Sequence, residues 1–268
     1  MNKDKLHAKS SIEVGKLWDE NADLWINLTA KGHDLYRDHI GTPGFFSILP
    51  AIDGLRGLDI GCGDGHHTRL LAERGAKMIG MDLSPKFIQY AKNHENTTQL
   101  GIEYLLGNVL ELPYPNNSFD FVTSFFSLID IPEYEIAIAE AYRTIKKEGF
   151  FQFLIPHPCT WTPDFEWIFD ESGNKKGAIC SDYFTSDNGK VMEWLFESVD
   201  PNSISGGQKF KSPQFRRTLT KWINSLVNTG FVIEEIFEPK ADEKLIEQHS
   251  ILRGASLLPI FLIVRCRK

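Results

Sequence analysis

The stretch Leu58-Asp-Ile-Gly-Cys-Gly-Asp-Gly65 places three glycines two residues apart, directly after a short apolar run. Glycines at such a strand-to-helix turn allow positive φ angles and let a ligand approach the backbone closely. The helix that follows offers unpaired N–H groups and the positive end of its dipole. The pattern therefore indicates a nucleotide-binding turn, although the same spacing is also found in simple tight turns.

Asp82 favours the nucleotide-binding interpretation. It ends the next apolar run and stands 82 − 61 = 21 positions after Gly61. A carboxylate at that place can accept hydrogen bonds from both hydroxyls of a ribose. A dinucleotide turn has the spacing Gly-x-Gly-x-x-Gly, but position 66 is His66, and a pyrophosphate gives no role to the acidic Asp59. A nucleoside ligand other than a dinucleotide therefore fits the stretch better.

Short apolar runs and helical patterns alternate around this turn. Ser84-Pro85 has the residues of a helix start, since Ser can cap and Pro fits in the first turn. This alternation is typical of a parallel α/β sheet with right-handed crossovers. The sequence predicts five successive strands at Leu58–Ile60, Met78–Asp82, Ile102–Leu106, Phe119–Phe125 and Phe150–Ile155.

The last third of the chain departs from this alternation. Residues 156–212 show no sustained periodicity but are rich in aromatic side chains. Ser212-Pro213 predicts the start of a helix that ends at Gly230. Phe231–Glu238 and Leu258–Cys266 predict two more strands without a convincing helix between them, so we expect them to pair antiparallel.

Composition narrows the class of protein. The chain has 268 residues and a net charge of 29 − 36 = −7, with 42% hydrophobic and 24% charged residues. These values exclude global disorder and weigh against a duplex-binding surface, so no nucleic-acid partner is expected. No apolar run reaches the roughly 18 residues of a membrane span, and the first residues lack the apolar segment of a signal peptide.

The cysteines indicate a reducing compartment. Cys62, Cys159, Cys180 and Cys266 are scattered and form no C-x-x-C pattern. In a chain long enough to bury its own core, such cysteines are expected to be reduced thiols rather than disulfides or zinc ligands. A cytoplasmic location without a bound metal is therefore predicted.

Several segments, taken in order, resemble the class I S-adenosylmethionine-dependent methyltransferases of the methyltransferase-11 type. Two departures are Arg143–Gly149, which lacks a proline and a glycine of the family's turn, and Asn108, which replaces an acidic residue. The segments that carry the resemblance are Asp59-x-Gly61-x-Gly63-x-Gly65, Gly80-x-Asp82-Leu-Ser84, Gly107-Asn108-Val109, Leu112-Pro113 with Ser118–Val122, and the terminal strand pair.

This resemblance implies a fold. It is a seven-stranded Rossmann-like sheet, mostly parallel with the last strand antiparallel, and with helices on both faces. Residues 1–50 would form an N-terminal helical lid and residues 51–268 the methyltransferase domain. Within that domain, residues 156–212 would form an insert after strand five, on the side of the methyl acceptor.

The resemblance also implies cofactor contacts on the methionine side. Gly61 and Gly63, with Cys62 as a small filler between them, would pass beneath the methionine part of S-adenosylmethionine. Asp59 would lie near its ammonium group, unless it is a structural carboxylate. In the N-terminal lid, Tyr36 and Arg37 would fold over the cofactor, with Arg37 pairing with its carboxylate.

The nucleoside side has its own set of implied contacts. Asp82 would hold the ribose and Leu83 would flank the adenine ring. Asn108 and Val109 would contact the adenine edge, Asn108 through its uncharged carbonyl. Ser124 and Phe125, at the end of the fourth strand, would lie under the sulfonium near the acceptor, although Phe125 also suits core packing.

The catalytic candidates follow the ends of two strands. His157 stands between two prolines after strand five, and Asp130 follows strand four. Either could act as a base or contact an acceptor, while Asp130 also suits a helix cap. His66 and His67 are expected to be solvated residues of a first helical turn. Arg216 or Arg217 could hold an anionic group of the acceptor.

The implied reaction is methyl transfer from S-adenosylmethionine to a small-molecule acceptor, with S-adenosylhomocysteine as the product. The aromatic insert 156–212 is the candidate acceptor pocket. Two alternatives stay open: a cofactor-binding but inactive regulatory or scaffold protein, and an NAD-dependent oxidoreductase. The acceptor atom and the oligomeric state are not specified by these patterns.

Overall fold

The computed structural model describes residues 10–268. Its strands are β1 Arg56–Ile60, β2 Lys77–Asp82, β3 Glu103–Leu106, β4 Phe119–Phe125, β5 Ile145–Pro156, β6 Asp164–Phe169, β7 Lys175–Ser181, β8 Lys190–Trp194, β9 Phe210–Gln214, β10 Val232–Phe237 and β11 Phe261–Arg267. Its α-helices are α1 Ser11–Ala30, α2 Thr42–Ser47, α3 His66–Ala72, α4 Pro85–Thr98, α5 Tyr134–Thr144, α6 Leu219–Thr229, α7 Glu243–Gln248 and α8 Gly254–Leu257.

Seven strands form one sheet in the order β10-β11-β5-β4-β1-β2-β3. Strands β1 to β5 pair parallel, whereas β11 lies antiparallel to both of its neighbours, β5 and β10. The predicted seven-stranded sheet and its antiparallel end are confirmed. The strand order reverses between β1 and β4, which creates a crevice at the carboxyl ends of the parallel strands.

The hydrophobic core lies on both faces of this sheet, and the side chains of β5 contribute to both. Alternate side chains of a strand point to opposite faces. Phe151 and Phe153 belong to the apolar cluster that contains Trp222 of α6. Phe150 belongs to the opposite cluster, with Phe45 of α2. A strand buried on both faces explains why this stretch is apolar except for Gln152, whose side-chain amide donates to the Phe45 carbonyl at 2.7 Å.

Two of the predicted helix boundaries are confirmed. At the start of α4, Ser84 Oγ accepts a hydrogen bond from the Phe87 N–H at 3.2 Å, and Pro85 occupies the first turn. At the end of α6, Gly230 adopts a φ of 108°, a conformation that ends helices and favours glycine.

The predicted helix start at Ser212-Pro213 is wrong. Phe210–Gln214 is strand β9, paired antiparallel with β8, and the helix begins at Leu219 after the cap residue Thr218. The Ser212 hydroxyl does not cap a helix because it accepts a hydrogen bond from Trp194 Nε1 at 2.9 Å. With β6 and β7 as a second hairpin, the insert consists of two β-ribbons.

The connection between β10 and β11 contains two short helices, α7 and α8, where the sequence showed none. The longer, α7, has six residues, less than two turns, which is too short for a recurring apolar face. Asp242 Oδ1 caps it by accepting from the Leu245 N–H at 2.8 Å. The antiparallel pairing of the flanking strands is as predicted.

Residues 1–9 of the predicted lid lie outside the described residues. The rest of the N-terminal segment includes helix α1, which contacts separate parts of the domain. Gly15 packs against Leu83, where an added Cβ would lie 3.0 Å from Leu83 Cβ. Asp19 accepts two hydrogen bonds at the start of α4. Asn21 exchanges hydrogen bonds of 2.9 and 3.0 Å with the backbone of Lys211 in β9. Helix α1 therefore joins the end of β2 to the insert.

We expect Asn21→Ala to lower the free energy of unfolding by about 2 kcal/mol, because both backbone groups of Lys211 lose their partner. Urea unfolding followed by tryptophan fluorescence measures the change. The control is Asn93→Ala on the exposed side of α4, where Asn93 accepts only from Gln89; it should change stability by less than about 0.5 kcal/mol. Equal effects of the two substitutions would contradict the assigned contact.

Candidate active site

A cavity of about 670 Å³ lies at the carboxyl ends of β1, β2 and β4. The glycine turn and Asp82 line one side of it, and α1 and the insert line the other. This is the place where open parallel sheets bind ligands. The volume is within the range of roughly 300–1,000 Å³ that small-molecule sites occupy.

The turn between β1 and α3 contains the three glycines at positive φ. The angles are 68° at Gly61, 53° at Gly63 and 79° at Gly65, as the sequence predicts. A Cβ on Gly61 would lie 2.2 Å from Ser127 Cβ, whereas nothing lies within 4 Å of the corresponding position on Gly63. Gly61 is therefore needed for packing, while Gly63 leaves open space beside the cavity.

The carboxylate of Asp82 connects this turn to the end of β2. Its Oδ2 accepts from the Gly63 N–H at 2.9 Å, and its Oδ1 accepts from the Ser84 N–H at 2.8 Å. Burial raises the pKa of Asp82, while these amide hydrogen bonds act in the opposite direction. Each carboxylate oxygen has a second lone pair, so Asp82 can accept further hydrogen bonds from a ligand in the cavity.

Asp59 also lines the cavity, but both of its oxygens are engaged. Thr68 Oγ1 donates to Oδ2 at 2.7 Å, and Thr123 Oγ1 donates to Oδ1 at 3.0 Å. Burial raises the pKa of Asp59 to about 7. This geometry fits the structural alternative, in which Asp59 joins β1 to α3 and β4. A contact between Asp59 and a ligand ammonium stays a prediction.

The residues predicted for the adenine lie on the same cavity. Leu83 is held from behind by Gly15 of α1. Asn108 Oδ1 accepts from the Leu110 N–H at 3.0 Å, so one lone pair of this carbonyl is already used. Val109 is buried. The structure brings these residues together, and their contacts with a nucleobase stay a prediction.

Tyr36 and Arg37 of the N-terminal segment line the cavity as well. Arg37 is buried, and its Nε donates to Asp38 Oδ1 at 2.8 Å and lies 3.7 Å from Asp34 Oδ2. Burial raises the pKa of Asp34 to about 6, and the positive charge of Arg37 opposes this rise. Tyr36 donates its hydroxyl proton to the carbonyl of Ile251 at 2.9 Å.

On the predicted acceptor side, Phe125 and Asp130 line the cavity, but Ser124 does not. Ser124 Oγ is buried and lies 2.6 Å from Ser127 Oγ, so it supports the loop after β4. Burial raises the pKa of Asp130 to about 8, against a hydrogen bond from Trp18 and the positive charge of Arg217. Asp130 is therefore mostly protonated at neutral pH.

The structure does not bring His157 to the cavity lining. Its Nδ1 accepts from the Cys159 N–H at 3.2 Å, and its Nε2 lies 2.9 Å from Glu238 Oε1. Burial lowers the pKa of the imidazole, and Glu238 opposes this change. Because both ring nitrogens have partners in the domain, the geometry gives no support to His157 as a base, and Asp130 is the remaining candidate.

The prediction that His67 is solvated is wrong, because its side chain is buried. Its ring stacks on Phe125 with centroids 3.7 Å apart and planes at 10°. Its Nε2 lies 2.9 Å from Thr42 Oγ1, and burial lowers its pKa well below the ordinary value. The neutral ring forms part of the cavity lining.

Burial raises the pKa of the Cys62 thiol, which fits its role as a small filler.

A buried lysine was not identified from the sequence. Lys175 Nζ donates to Glu197 Oε1 at 2.6 Å, to the Tyr36 hydroxyl at 3.2 Å and to the Ile251 carbonyl at 3.1 Å. It also lies 4.7 Å from the centroid of the Trp167 ring. These partners are far apart in sequence, so no local pattern could reveal them. Lys175 joins the first ribbon of the insert to the N-terminal segment.

Within residues 10–268, no group of three His, Cys, Asp or Glu side chains has an arrangement suited to a metal ion. In the same part of the chain, no helix combines the length and the apolar character needed to cross a membrane. The longest helix, α1, carries Asp19, Glu20 and Asp23 along its length.

Comparisons with known proteins agree with this geometry. The family model for a methyltransferase domain of type 11 matches residues 58–153. The crystal structure of an S-adenosylmethionine-dependent methyltransferase from Mesorhizobium loti is 26% identical, with a TM-score of 0.67, and covers 84% of this chain and 96% of that chain. An uncharacterized protein of Haemophilus influenzae is 29% identical over 85% of this chain and 87% of its own length.

A demethylmenaquinone methyltransferase of Oceanobacillus iheyensis is 39% identical over 36% of this chain, but the match spans only 42% of that protein. The sheet and the glycine turn define the class I methyltransferase fold. Residues 58–153 match the methyltransferase-11 domain, and the chain as a whole is similar to S-adenosylmethionine-dependent methyltransferases. The matches favour this assignment over a nicotinamide-dependent oxidoreductase.

The raised pKa of Asp130 implies that the free energy of unfolding depends on pH. The folded protein holds the proton up to a pKa of about 8, while the unfolded chain releases it near 3.8. The free energy of unfolding should therefore fall as the pH rises through this window. Asp130→Asn removes this contribution, so the variant should lose less stability than wild type between about pH 5 and pH 8, measured by urea unfolding.

The control for this experiment is Asp53→Asn, at an exposed carboxylate before β1. It should keep the wild-type dependence of stability on pH. If Asp130→Asn also kept that dependence, Asp130 would be ionised in the folded protein, and the protonation state assigned to it would be wrong.

Lys175→Met should loosen the first ribbon of the insert, because Glu197 loses its cation and Tyr36 loses a donor. We expect backbone amides of β6 and β7 to exchange hydrogen about tenfold faster. Hydrogen exchange measured by mass spectrometry tests this. Lys176→Met changes the exposed neighbour and should leave the exchange rates unchanged. Unchanged rates in Lys175→Met would show that Lys175 does not hold the ribbon.

Proposed function

We propose that this methyltransferase binds S-adenosylmethionine along the glycine turn and transfers its methyl group to a small-molecule acceptor held by the insert. The observation that supports this most directly is the continuity of the cavity. One space is lined both by Asp82 and Asn108 and by Trp161 and Trp194 of the insert. A nucleoside ligand at the sheet would therefore lie in the same cavity as the acceptor.

In the cofactor part of this cavity, each residue keeps the role that the resemblance implies. The unused lone pairs of Asp82 would accept the ribose hydroxyls. Gly63 would let the methionine part pass close to the backbone, since nothing fills the space beside it. Leu83 and Val109 would enclose the adenine, and Arg37 would pair with the carboxylate of the cofactor.

The acceptor part is mainly aromatic. Trp161, Phe165 and Trp167 line it from the first half of the insert, and Trp194 and Phe196 line it from the second. The sulfonium of S-adenosylmethionine supplies an activated methyl group. The side chains of the insert and α1 would align the acceptor and exclude water, which is the main contribution that such a displacement requires of the protein.

Asp130 is the proposed base of the reaction. It lines the cavity, and its pKa of about 8 is close to neutral pH. A group with a pKa near the pH at which the enzyme works is the most effective proton acceptor. An acceptor hydroxyl would transfer its proton to the ionised form of Asp130 as its oxygen bonds to the methyl carbon and the C–S bond breaks. A protonated amine would transfer its proton first, which frees the lone pair that attacks.

The relatives do not identify the methyl acceptor of this protein. The match to demethylmenaquinone methyltransferase spans less than half of that protein. The insert formed by β6 to β9 lines the acceptor part of the cavity, so its own side chains are the better guide to the acceptor.

Calorimetric titration with S-adenosylhomocysteine tests the cofactor assignment. We expect saturable binding by wild type, and binding at least about 100-fold weaker in Asp82→Ala, because ribose contacts and the support of Gly63 are both lost. Asp53→Ala, on the amino side of β1, should bind like wild type. If folded wild-type protein bound neither S-adenosylmethionine nor S-adenosylhomocysteine, the proposed function would be wrong.

A further inference from the structure

The wall of the acceptor cavity contains a buried arginine with unused hydrogen-bonding capacity. Arg216 follows β9 and is only 8% exposed. Its guanidinium carbon lies 5.4 Å from the centroid of the Trp161 ring, and both residues line the cavity. Buried arginines are normally surrounded by hydrogen-bond acceptors, so the partners of this guanidinium show what it can still bind.

One end of the guanidinium is occupied and one edge is not. Nη1 donates to Asp187 Oδ2 at 2.5 Å. Nη2 contacts only the thioether of Met192, at 3.5 Å. Nε is buried and has no hydrogen-bond partner among residues 10–268. Nε and Nη2 form the lateral edge of an arginine, and this edge matches the two oxygens of a carboxylate.

Asp187 holds the guanidinium in one orientation and leaves its Nε and Nη2 edge for a ligand. Its side chain is only 11% exposed, and it fixes the guanidinium from the Nη1 side. Met192 has a flexible side chain and a sulfur that accepts hydrogen bonds only weakly. A carboxylate oxygen would therefore displace the Met192 thioether from Nη2 at little cost and would provide the missing partner of Nε.

We propose that the methyl acceptor is a planar, largely apolar molecule that carries a carboxylate, and that Arg216 binds this carboxylate through Nε and Nη2. The inference rests on the proposed function and adds the substrate class. The apolar body would lie among Trp161, Phe165 and Trp194, which line the same cavity. Arg216 is a specificity-determining residue in this scheme, and it takes no part in proton transfer.

The experiment compares acids with their uncharged amides. Benzoate, benzamide, indole-3-carboxylate and indole-3-carboxamide are titrated into the protein with S-adenosylhomocysteine at saturation, and binding is followed by ligand-observed NMR. We expect wild type to bind each acid at least about tenfold more tightly than its amide. Arg216→Lys keeps a positive charge beside Asp187 but lacks the two-donor edge, so it should lose this preference and keep its affinity for S-adenosylhomocysteine.

Two further variants keep the result interpretable. Lys211→Gln removes a positive charge from an exposed position in β9 and should keep the preference for acids. Arg216→Gln combined with Asp187→Asn removes the ion pair without leaving a buried charge and should lose the preference, which covers the case in which Arg216→Lys fails to fold. The inference is overturned if wild type binds the acids no better than the amides, including the case in which no probe binds. Failure to bind S-adenosylhomocysteine would instead contradict the proposed function.

Discussion

Two backbone N–H groups converge on the carboxylate of Asp82, one from Gly63 in the turn after β1 and one from Ser84 at the start of α4. This side chain fixes how the ends of β1 and β2 meet, and with them the side of the cavity that would hold a nucleoside. The contact requires parallel pairing of the two strands, which brings both carboxyl ends to one edge. The Gly63 that donates this hydrogen bond has a φ of 53°, a conformation that favours glycine.

The cover of the cavity depends on contacts between segments that are distant in sequence. Asn21 of α1 is bonded to the backbone of β9, and Lys175 of β7 is bonded to Tyr36 and Glu197. The buried pair of Arg216 and Asp187 lies within the same insert. These contacts hold the N-terminal segment and the insert against each other, so a cofactor and an acceptor would share the cavity that both segments line.

The sheet and the cofactor part of the site could be predicted because their signals are local: glycines at fixed spacing, Asp82 at a strand end, and short, mainly apolar strands. The structure of the insert could not be predicted from the sequence. Ser84-Pro85 and Ser212-Pro213 are the same dipeptide, yet the first starts a helix and the second lies in a strand, because Trp194 uses the Ser212 hydroxyl. His157 was placed correctly at the end of β5, but Glu238, far along the chain, determines where its ring points.

In the proposed complex, the nucleoside of the cofactor binds at Asp82 and its sulfur lies toward the aromatic insert. A crystal structure of the protein with S-adenosylhomocysteine tests this most directly. We expect both ribose hydroxyls within about 3 Å of the Asp82 carboxylate oxygens, and the sulfur open to the space lined by Trp161 and Arg216. A nucleoside bound outside this cavity, or one that leaves Asp82 without a ribose contact, would contradict it.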